Sequence, residues 1–154
     1  MDNTMTQHVK ILNGPNLNLL GMRQPDIYGH HTLKNVAQAC EQVAIASGLT
    51  SQLLQTNHEG EMIEIIHAAR QDTAGIIINP GAWSHTSIAI LDALNAFDGP
   101  VLEVHISNIH HRETFRHHSY VTQRANGVIV GMGAHGYELA MQHMARLLHA
   151  KPET

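Results

Sequence analysis

The sequence predicts an open α/β sheet of five parallel strands with helices on both faces. Three observations carry that expectation. Short runs rich in Val and Ile alternate with stretches of helical period, the run Ala74-Gly75-Ile76-Ile77-Ile78 is apolar almost throughout, and Asn, Gly and Pro gather where several runs end. A strand buried on both faces reads as a continuous apolar run, whereas a strand wet on one face alternates.

The elements follow in order. Strands are expected near 8–13, 51–56, 74–79, 101–106 and 127–131. The first, His8-Val9-Lys10-Ile11-Leu12, is stopped by Asn13, Gly14 and Pro15, residues that suit turns and positive φ. A helix over about 33–47 sets Leu33, Val36, Ala37, Cys40, Val43 and Ala44 on one face and ends at Gly48. Glu59 to Arg70 repeats the period with Met62, Ile65, Ile66 and Ala69. A third helix starts near Ser84 or Thr86, either suited to cap it, and runs to about Phe97. The fourth βα unit has room for a short helix only, and the last helix spans about 136–149 with Ala140, Met144, Leu147 and Leu148 inward. Five βα repeats favour the flavodoxin-like strand order 2-1-3-4-5, which puts the switch point, and hence a ligand crevice, between strands one and three.

At 154 residues the chain is one domain, expected over 8–150 between a mobile tail of residues 1–7 and a C-terminal tail of 151–154. A composition of 43% hydrophobic and 14% charged residues is that of a folded globular protein. The net charge of -4 argues against nonspecific nucleic-acid binding, and neither a nucleic acid nor a membrane is expected as a partner. Cys40, the single cysteine, excludes an internal disulfide and reads as a packing residue in a reducing compartment. The polar start, Met1 to Gln7, lacks the pattern of a secretory signal, so a cytoplasmic location is expected.

Three strand ends carry the polar chemistry. The first leads into Leu12-Asn13-Gly14-Pro15-Asn16-Leu17-Asn18-Leu19-Leu20-Gly21, with Arg23 and Tyr28-Gly29 close behind. The third leads into Asn79-Pro80-Gly81-Ala82-Trp83-Ser84-His85, and the fourth is Glu103-Val104-His105-Ile106-Ser107-Asn108. A phenol is a poor base at its ordinary pKa near 10, but a neighbouring guanidinium favours the phenolate, and Arg23 is the natural donor to Tyr28. Glu103, two residues before His105, is placed to hold the imidazole protonated as a general acid. Arg112 and Arg116, spaced i, i+4, can share a helical face suited to a carboxylate or a hydroxyl-rich ligand. Taken singly, each feature has an ordinary reading: an Asn/Gly/Pro turn, a loop Tyr with a wet hydroxyl, a satisfied strand-end His, a solvated basic face.

Together these residues, with Asn57-His58-Glu59-Gly60, His85-Thr86-Ser87 and Arg112-Glu113-x-Phe115-Arg116, resemble the type II 3-dehydroquinate dehydratases over about residues 8–148. The resemblance implies a flavodoxin-like fold, a dodecamer built as a tetramer of trimers, and cofactor-free, metal-free dehydration of 3-dehydroquinate to 3-dehydroshikimate. It also implies roles. Tyr28 removes the C2 proton, Arg23 favours its ionised form, Asn16 meets the enolate through an ordered water, and His105, oriented by Glu103, protonates the departing C1 hydroxyl. Asn79, His85, Ile106, Ser107, Arg112 and Arg116 match substrate-binding positions, and Asp92 matches a residue that reaches a neighbouring subunit's site. Gln24, Trp83, Leu91 and His111 depart from the family's commoner Glu, Tyr, basic residue and Ala, which touches loop packing and assembly rather than chemistry. The unrelated type I enzymes use a lysine Schiff base, and Lys10, Lys34 and Lys151 all lie away from the expected strand ends.

Three rival readings remain at this level. Gly131-Met132-Gly133-Ala134-His135-Gly136 has the form of a dinucleotide-binding turn but sits in the last βα unit with no acidic strand end after it, and it reads as a tight turn with close helix packing. Glu64-x-x-His67 has a metal-ligand spacing but occurs once, and the pairs His110-His111 and His117-His118 lack a second ligand cluster. A non-catalytic signalling module of the same fold would have no need of Arg23 paired with Tyr28.

Overall fold

The structure, a computed structural model, describes residues 5–149. The outer parts of both expected tails, residues 1–4 and 151–154 with Lys151, lie outside the described residues. Gln7, assigned above to the tail, already joins the sheet edge, its carbonyl accepting a 3.0 Å hydrogen bond from the Thr50 amide.

Five parallel strands, β1 (His8–Asn13), β2 (Thr50–Gln55), β3 (Gly75–Asn79), β4 (Val101–His105) and β5 (Gly127–Val130), form one sheet in the order 2-1-3-4-5. The strand order is that expected, and the strands start and end within one residue of the expected bounds. Alternation along β1 and β3 separates two cores. Val9, Ile11 and Ile77 face one layer, made by α2 (Leu33–Ala46) and α5 (His135–His149), while Leu12, Ile76 and Ile78 face α3 (Glu59–Asp72) and α4 (Ile88–Asn95). A fifth helix, α1 (Pro25–Tyr28), is one turn long and stands outside the layers.

Two expectations need correction. The segment after β3 begins as a 3-10 turn over Gly81–His85, and α4 starts only at Ile88, capped by Ser87, whose hydroxyl accepts from the Ile90 amide at 3.0 Å. Ser84 cannot cap it because its hydroxyl donates back to the Gly81 carbonyl, 3.0 Å away, and Thr86 closes the 3-10 turn. Between β4 and β5 no α-helix forms among the described residues. Three 3-10 turns stand there instead, at Ile109–His111, Thr114–Arg116 and Val121–Gln123. Arg112 and Arg116 therefore do not share a helical face. Pairing of the i, i+4 kind requires a continuous α-helix, and Arg112 sits in extended backbone after the first of these turns.

The Gly131–Gly136 turn packs as read from its glycines. Its Gly131 and Gly133 amides donate to the carbonyls of His105 and Ile106, both at 3.1 Å, so they are not free to cradle a phosphate. Cys40 is fully buried between the layers, and burial, with Glu138 nearby, pushes its thiol up to about 12, the behaviour of an unreactive packing residue.

At the carboxyl edge of the sheet one buried hydroxyl joins three elements. Tyr137 of α5 is fully buried; its Oη donates to Asn13 Oδ1 at 2.7 Å and accepts from Asn79 Nδ2 at 2.8 Å. Asn13 and Asn79 are register partners at the ends of β1 and β3. Next to them Gly14 passes so close to the Pro80 carbonyl that a Cβ there would collide with it. The two loops that diverge at the switch point are thereby fixed against each other. Replacing Tyr137 with Phe strands two buried amide groups, and the unfolding free energy should fall by roughly 2 kcal/mol or more. Denaturant unfolding at fixed protein concentration and unchanged m-value checks this; a loss under about 0.5 kcal/mol would show the network to be dispensable.

Candidate active site

A cleft of about 240 Å³ opens at the carboxyl ends of β1, β3 and β4. The loop after β1 contributes Asn16, Arg23 and Tyr28, that after β3 Asn79 and His85, and the end of β4 with its following segment His105, Ile106, Ser107, Arg112 and Arg116. The three strand ends singled out in the sequence thus converge on one place. Glu103 lies behind His105, fully buried, and Asp92 is exposed on α4 away from this cleft. Glu64 and His67 are exposed on α3, and Lys10 pairs with Asp72 at 3.1 Å, near the opposite end of the sheet. A larger depression of about 670 Å³ lies between α2 and the start of α5, lined by His31, Asn35 and His135 among others. It holds none of the convergent polar groups of the smaller cleft.

The first loop is pinned by buried leucines at its start and by Tyr28, which packs against the same core, at its end. Leu17 and Leu20 are buried against the α2/α5 core, each such burial contributing about 1.5–3 kcal/mol. Beyond them Gly21 and Gln24 take positive φ, and α1 carries Tyr28 back over the cleft. Asn16 also has a positive φ, 69°, and its amide donates to Asn57 Oδ1 at 3.0 Å, which fixes the turn that presents its side chain.

Tyr28 lies between two guanidiniums. Arg23 stands over its ring, 5.1 Å from the centroid, and Arg112 stands 5.4 Å from it. The hydrogen bond to the phenolic oxygen comes from Arg112 Nη1 at 2.8 Å, not from Arg23. The sequence reading named Arg23 as the donor; only five residues separate it from Tyr28, and the intervening turn lays it across the ring face while Arg112 reaches the oxygen from the other side. Arg112 Nη1 also donates to Ser107 Oγ at 3.3 Å, and Arg116 Nε donates to Glu113 at 2.6 Å.

The two histidines differ in their partners. His105 donates from Nε2 to Glu103 Oε2, while Ser119 Oγ donates to the same oxygen at 2.7 Å and Thr122 Oγ1 to Oε1 at 2.6 Å. Burial alone would raise the Glu103 carboxyl, but the hydrogen bond and charge of His105 and the two hydroxyls outweigh it and hold the group below its usual range. His85, stacked on His105 with centroids 6.5 Å apart, is held below 6.5 chiefly by burial and by the positive charges of His105 and Arg116, against the opposing pull of the His118 carbonyl. Its Nδ1–H donates to that carbonyl at 2.8 Å, so the neutral ring turns Nε2 to the cleft as an acceptor.

The arrangement joins a phenol under two cations, an imidazole on a buried carboxylate, and free amides and guanidiniums, a set able to move protons on a small polyoxygenated anion. Among the described residues no three His, Cys, Asp or Glu side chains are grouped to hold a metal ion, and no helix is long and apolar enough to cross a membrane. The family model described as dehydroquinase class II matches residues 7–145. The chain belongs to the class II dehydroquinases. The 3-dehydroquinate dehydratase of Cereibacter sphaeroides is 60% identical over 143 residues, 93% of this chain and 97% of that protein. The 3-dehydroquinate dehydratase 2 of Pseudomonas putida is 58% identical over 143 residues, 93% and 96% of the respective chains. The crystal structure of type II dehydroquinase from Propionibacterium acnes shares the fold at a TM-score of 0.88 and 45% identity, covering 94% of this chain and 99% of that one.

In this class II dehydroquinase the residues that sequence reasoning missed are Ser119, Thr122, Tyr137 and the His118 carbonyl. Only Tyr137 left a trace, since it falls on the apolar stripe of α5 with Ala140, Met141 and Met144. Because the Glu103 carboxyl titrates lower in the folded chain than in the unfolded one, the stability it confers is complete above about pH 4.5 and is lost as pH falls through the folded-state value. Glu103→Gln should therefore cost roughly 3 kcal/mol at pH 7, with the gap to wild type closing below pH 4.5. Denaturant unfolding across a pH series measures it, and a gap independent of pH would contradict the assignment.

Proposed function

We propose that this chain carries out the shikimate-pathway dehydration of 3-dehydroquinate to 3-dehydroshikimate and does so through an enolate; its relatives are named 3-dehydroquinate dehydratases. The observation that carries the reading is the phenolic oxygen of Tyr28 in the grip of Arg112, across the same cleft from the Glu103-held imidazole of His105. A base and an acid facing one cavity is what an elimination of water needs.

The two guanidiniums carry the negative charge of the phenolate form of Tyr28, which takes the proton from C2, alpha to the ketone. The C2–H electron pair moves onto the ketone oxygen, where Asn16 meets the enolate through a water. Collapse of the enolate forms the C1–C2 double bond and expels the C1 hydroxyl, which leaves as water with a proton from His105. With Nε2 committed to Glu103, Nδ1 is the nitrogen that gives that proton. Tyr28 ends as a phenol and His105 as a neutral ring; one proton lost from Tyr28 and one gained by His105 restore the site.

Binding is divided among the remaining groups. Asn79 has its Oδ1 occupied by the Gly81 amide at 3.1 Å and one Nδ2 hydrogen by Tyr137, which leaves its second N–H for a substrate hydroxyl. The neutral His85 offers an acceptor, and Arg116, with Ser107 and the Ile106 and Ser107 amides, suits the carboxylate end. Asp92, exposed on α4, is assigned to a neighbouring subunit's cleft in a dodecamer of four trimers. No cofactor has a role in this chemistry, and a cytoplasmic setting fits it.

Growth of the conjugated-enone ultraviolet band with 3-dehydroquinate tests the activity, and Tyr28→Phe should lower kcat by about 10³-fold with little change in KM. A variant that kept kcat within tenfold of wild type would remove Tyr28 as the base. The lid between Gly21 and His30, beyond the Leu20 anchor, should exchange its amide hydrogens faster than β1 and slow on substrate binding. Exchange as slow as in β1, indifferent to substrate, would contradict closure.

A further inference from the structure

Among the described residues Glu103 is the most deeply buried acidic or basic side chain, and it holds His105 from behind. Its side chain is fully buried, and each oxygen is met by a hydroxyl: Oε1 by Thr122 at 2.6 Å, Oε2 by Ser119 at 2.7 Å together with His105 Nε2. Both hydroxyls come from the stretch between β4 and β5, whose own regular structure is limited to short 3-10 turns. That stretch is stitched at three successive residues. The His118 carbonyl accepts from His85, the Ser119 hydroxyl donates to Glu103, and the Tyr120 amide donates to the Ser84 carbonyl at 2.8 Å. One short segment therefore touches the partner of each cleft histidine.

We propose that Ser119 and Thr122 are positioning residues for proton donation, holding Glu103 as an oriented anion so that the His105 ring keeps its second nitrogen aimed into the cleft. The proposal rests on the elimination chemistry above for its effect on turnover but not for its effect on Glu103. Neither residue lines the cleft. A hydroxyl donating to a carboxylate is a charge-assisted bond, stronger than a neutral one, and it fixes the rotation of a carboxylate that an imidazole alone would leave free about its last torsion. The groups facing this carboxylate are His105 on its own strand, Ser119 and Thr122 from the connecting stretch, and the rings of His110, His117 and His118 around a cavity that Glu103 floors. His85 stacks beyond His105, with Arg116 near it. Removing one hydroxyl removes one short donor while leaving His105 and the other facing groups in place, so the change read at Glu103 belongs to the lost bond.

The test uses Ser119→Ala, Thr122→Val and the conservative Thr122→Ser in the full chain, each checked for unchanged assembly and melting profile. With 13C-labelled glutamate, the Glu103 carboxyl signal, assigned by its loss in Glu103→Gln, should titrate at higher pH in Ser119→Ala and Thr122→Val than in wild type, and Thr122→Ser should restore it. Turnover of 3-dehydroquinate should fall about tenfold in kcat per hydroxyl removed, with KM within twofold, and the acid limb of the kcat profile should move up in pH. The losses should vanish when the same changes are made on Glu103→Gln. An unmoved Glu103 titration in Thr122→Val overturns the proposal whether or not the chain turns over dehydroquinate. An active wild type whose kcat and acid limb are unchanged in both variants overturns it too. A wild type without activity but with the expected titration refutes the elimination reading and leaves the anchoring of Glu103 upheld.

Discussion

A carboxylate shut away from water has to be surrounded by donors, and the architecture around β4 is organised by that requirement. Unpaired, a buried carboxylate would cost several kcal/mol and would take up a proton instead. Here His105 supplies the countercharge and Ser119 and Thr122 complete the shell, so the connecting segment must fold back over the sheet face where a helix would otherwise lie. Among the described residues that segment is built of three short 3-10 turns and no α-helix, and it brings both hydroxyls to one carboxylate. The same segment orders His85 through the His118 carbonyl and Glu103, the partner of His105, through Ser119, so the two cleft histidines share one support.

The opposite wall has the reverse character. Tyr28 arrives on a single helical turn beyond two buried leucines, half-buried against the α2/α5 core with two guanidiniums beside its ring. In the proposed chemistry the β4 wall holds the proton donor and the loop after β1 carries the base. Division of this kind is what closing loops achieve, since water is excluded only when the reacting groups are assembled. Between the walls, Tyr137 ties Asn13 to Asn79, so the switch point itself does not move.

Much of this was legible in the sequence, and for definite reasons. The nearly unbroken apolar run of β3 announces a strand buried on both faces, and the polar ends of β1, β3 and β4 mark the crevice. Family resemblance then named the residues that meet there, and ten of them line one cleft in the structure. Contacts that depend on tertiary approach were not legible. Whether Arg23 or Arg112 donates to the Tyr28 hydroxyl depends on how a lid turn lies against a strand end 84 positions away, which spacing does not encode. Ser119 and Thr122 look like ordinary loop residues, because their role exists only once Glu103 is buried. The misplaced start of α4 has a local cause: Ser84, Thr86 and Ser87 are all competent caps, and only the preceding 3-10 turn decides among them.

The central claim is that base and acid act in separate steps, Tyr28 on C2 and then His105 on the C1 hydroxyl. The most direct test is exchange at C2 in heavy water, followed by NMR with the His105→Gln protein and 3-dehydroquinate, against a protein-free control. The account predicts that this variant still exchanges the C2 hydrogen for deuterium while forming little product, because the enolate forms and returns. Loss of exchange together with loss of turnover, in a protein that still binds substrate, would contradict it.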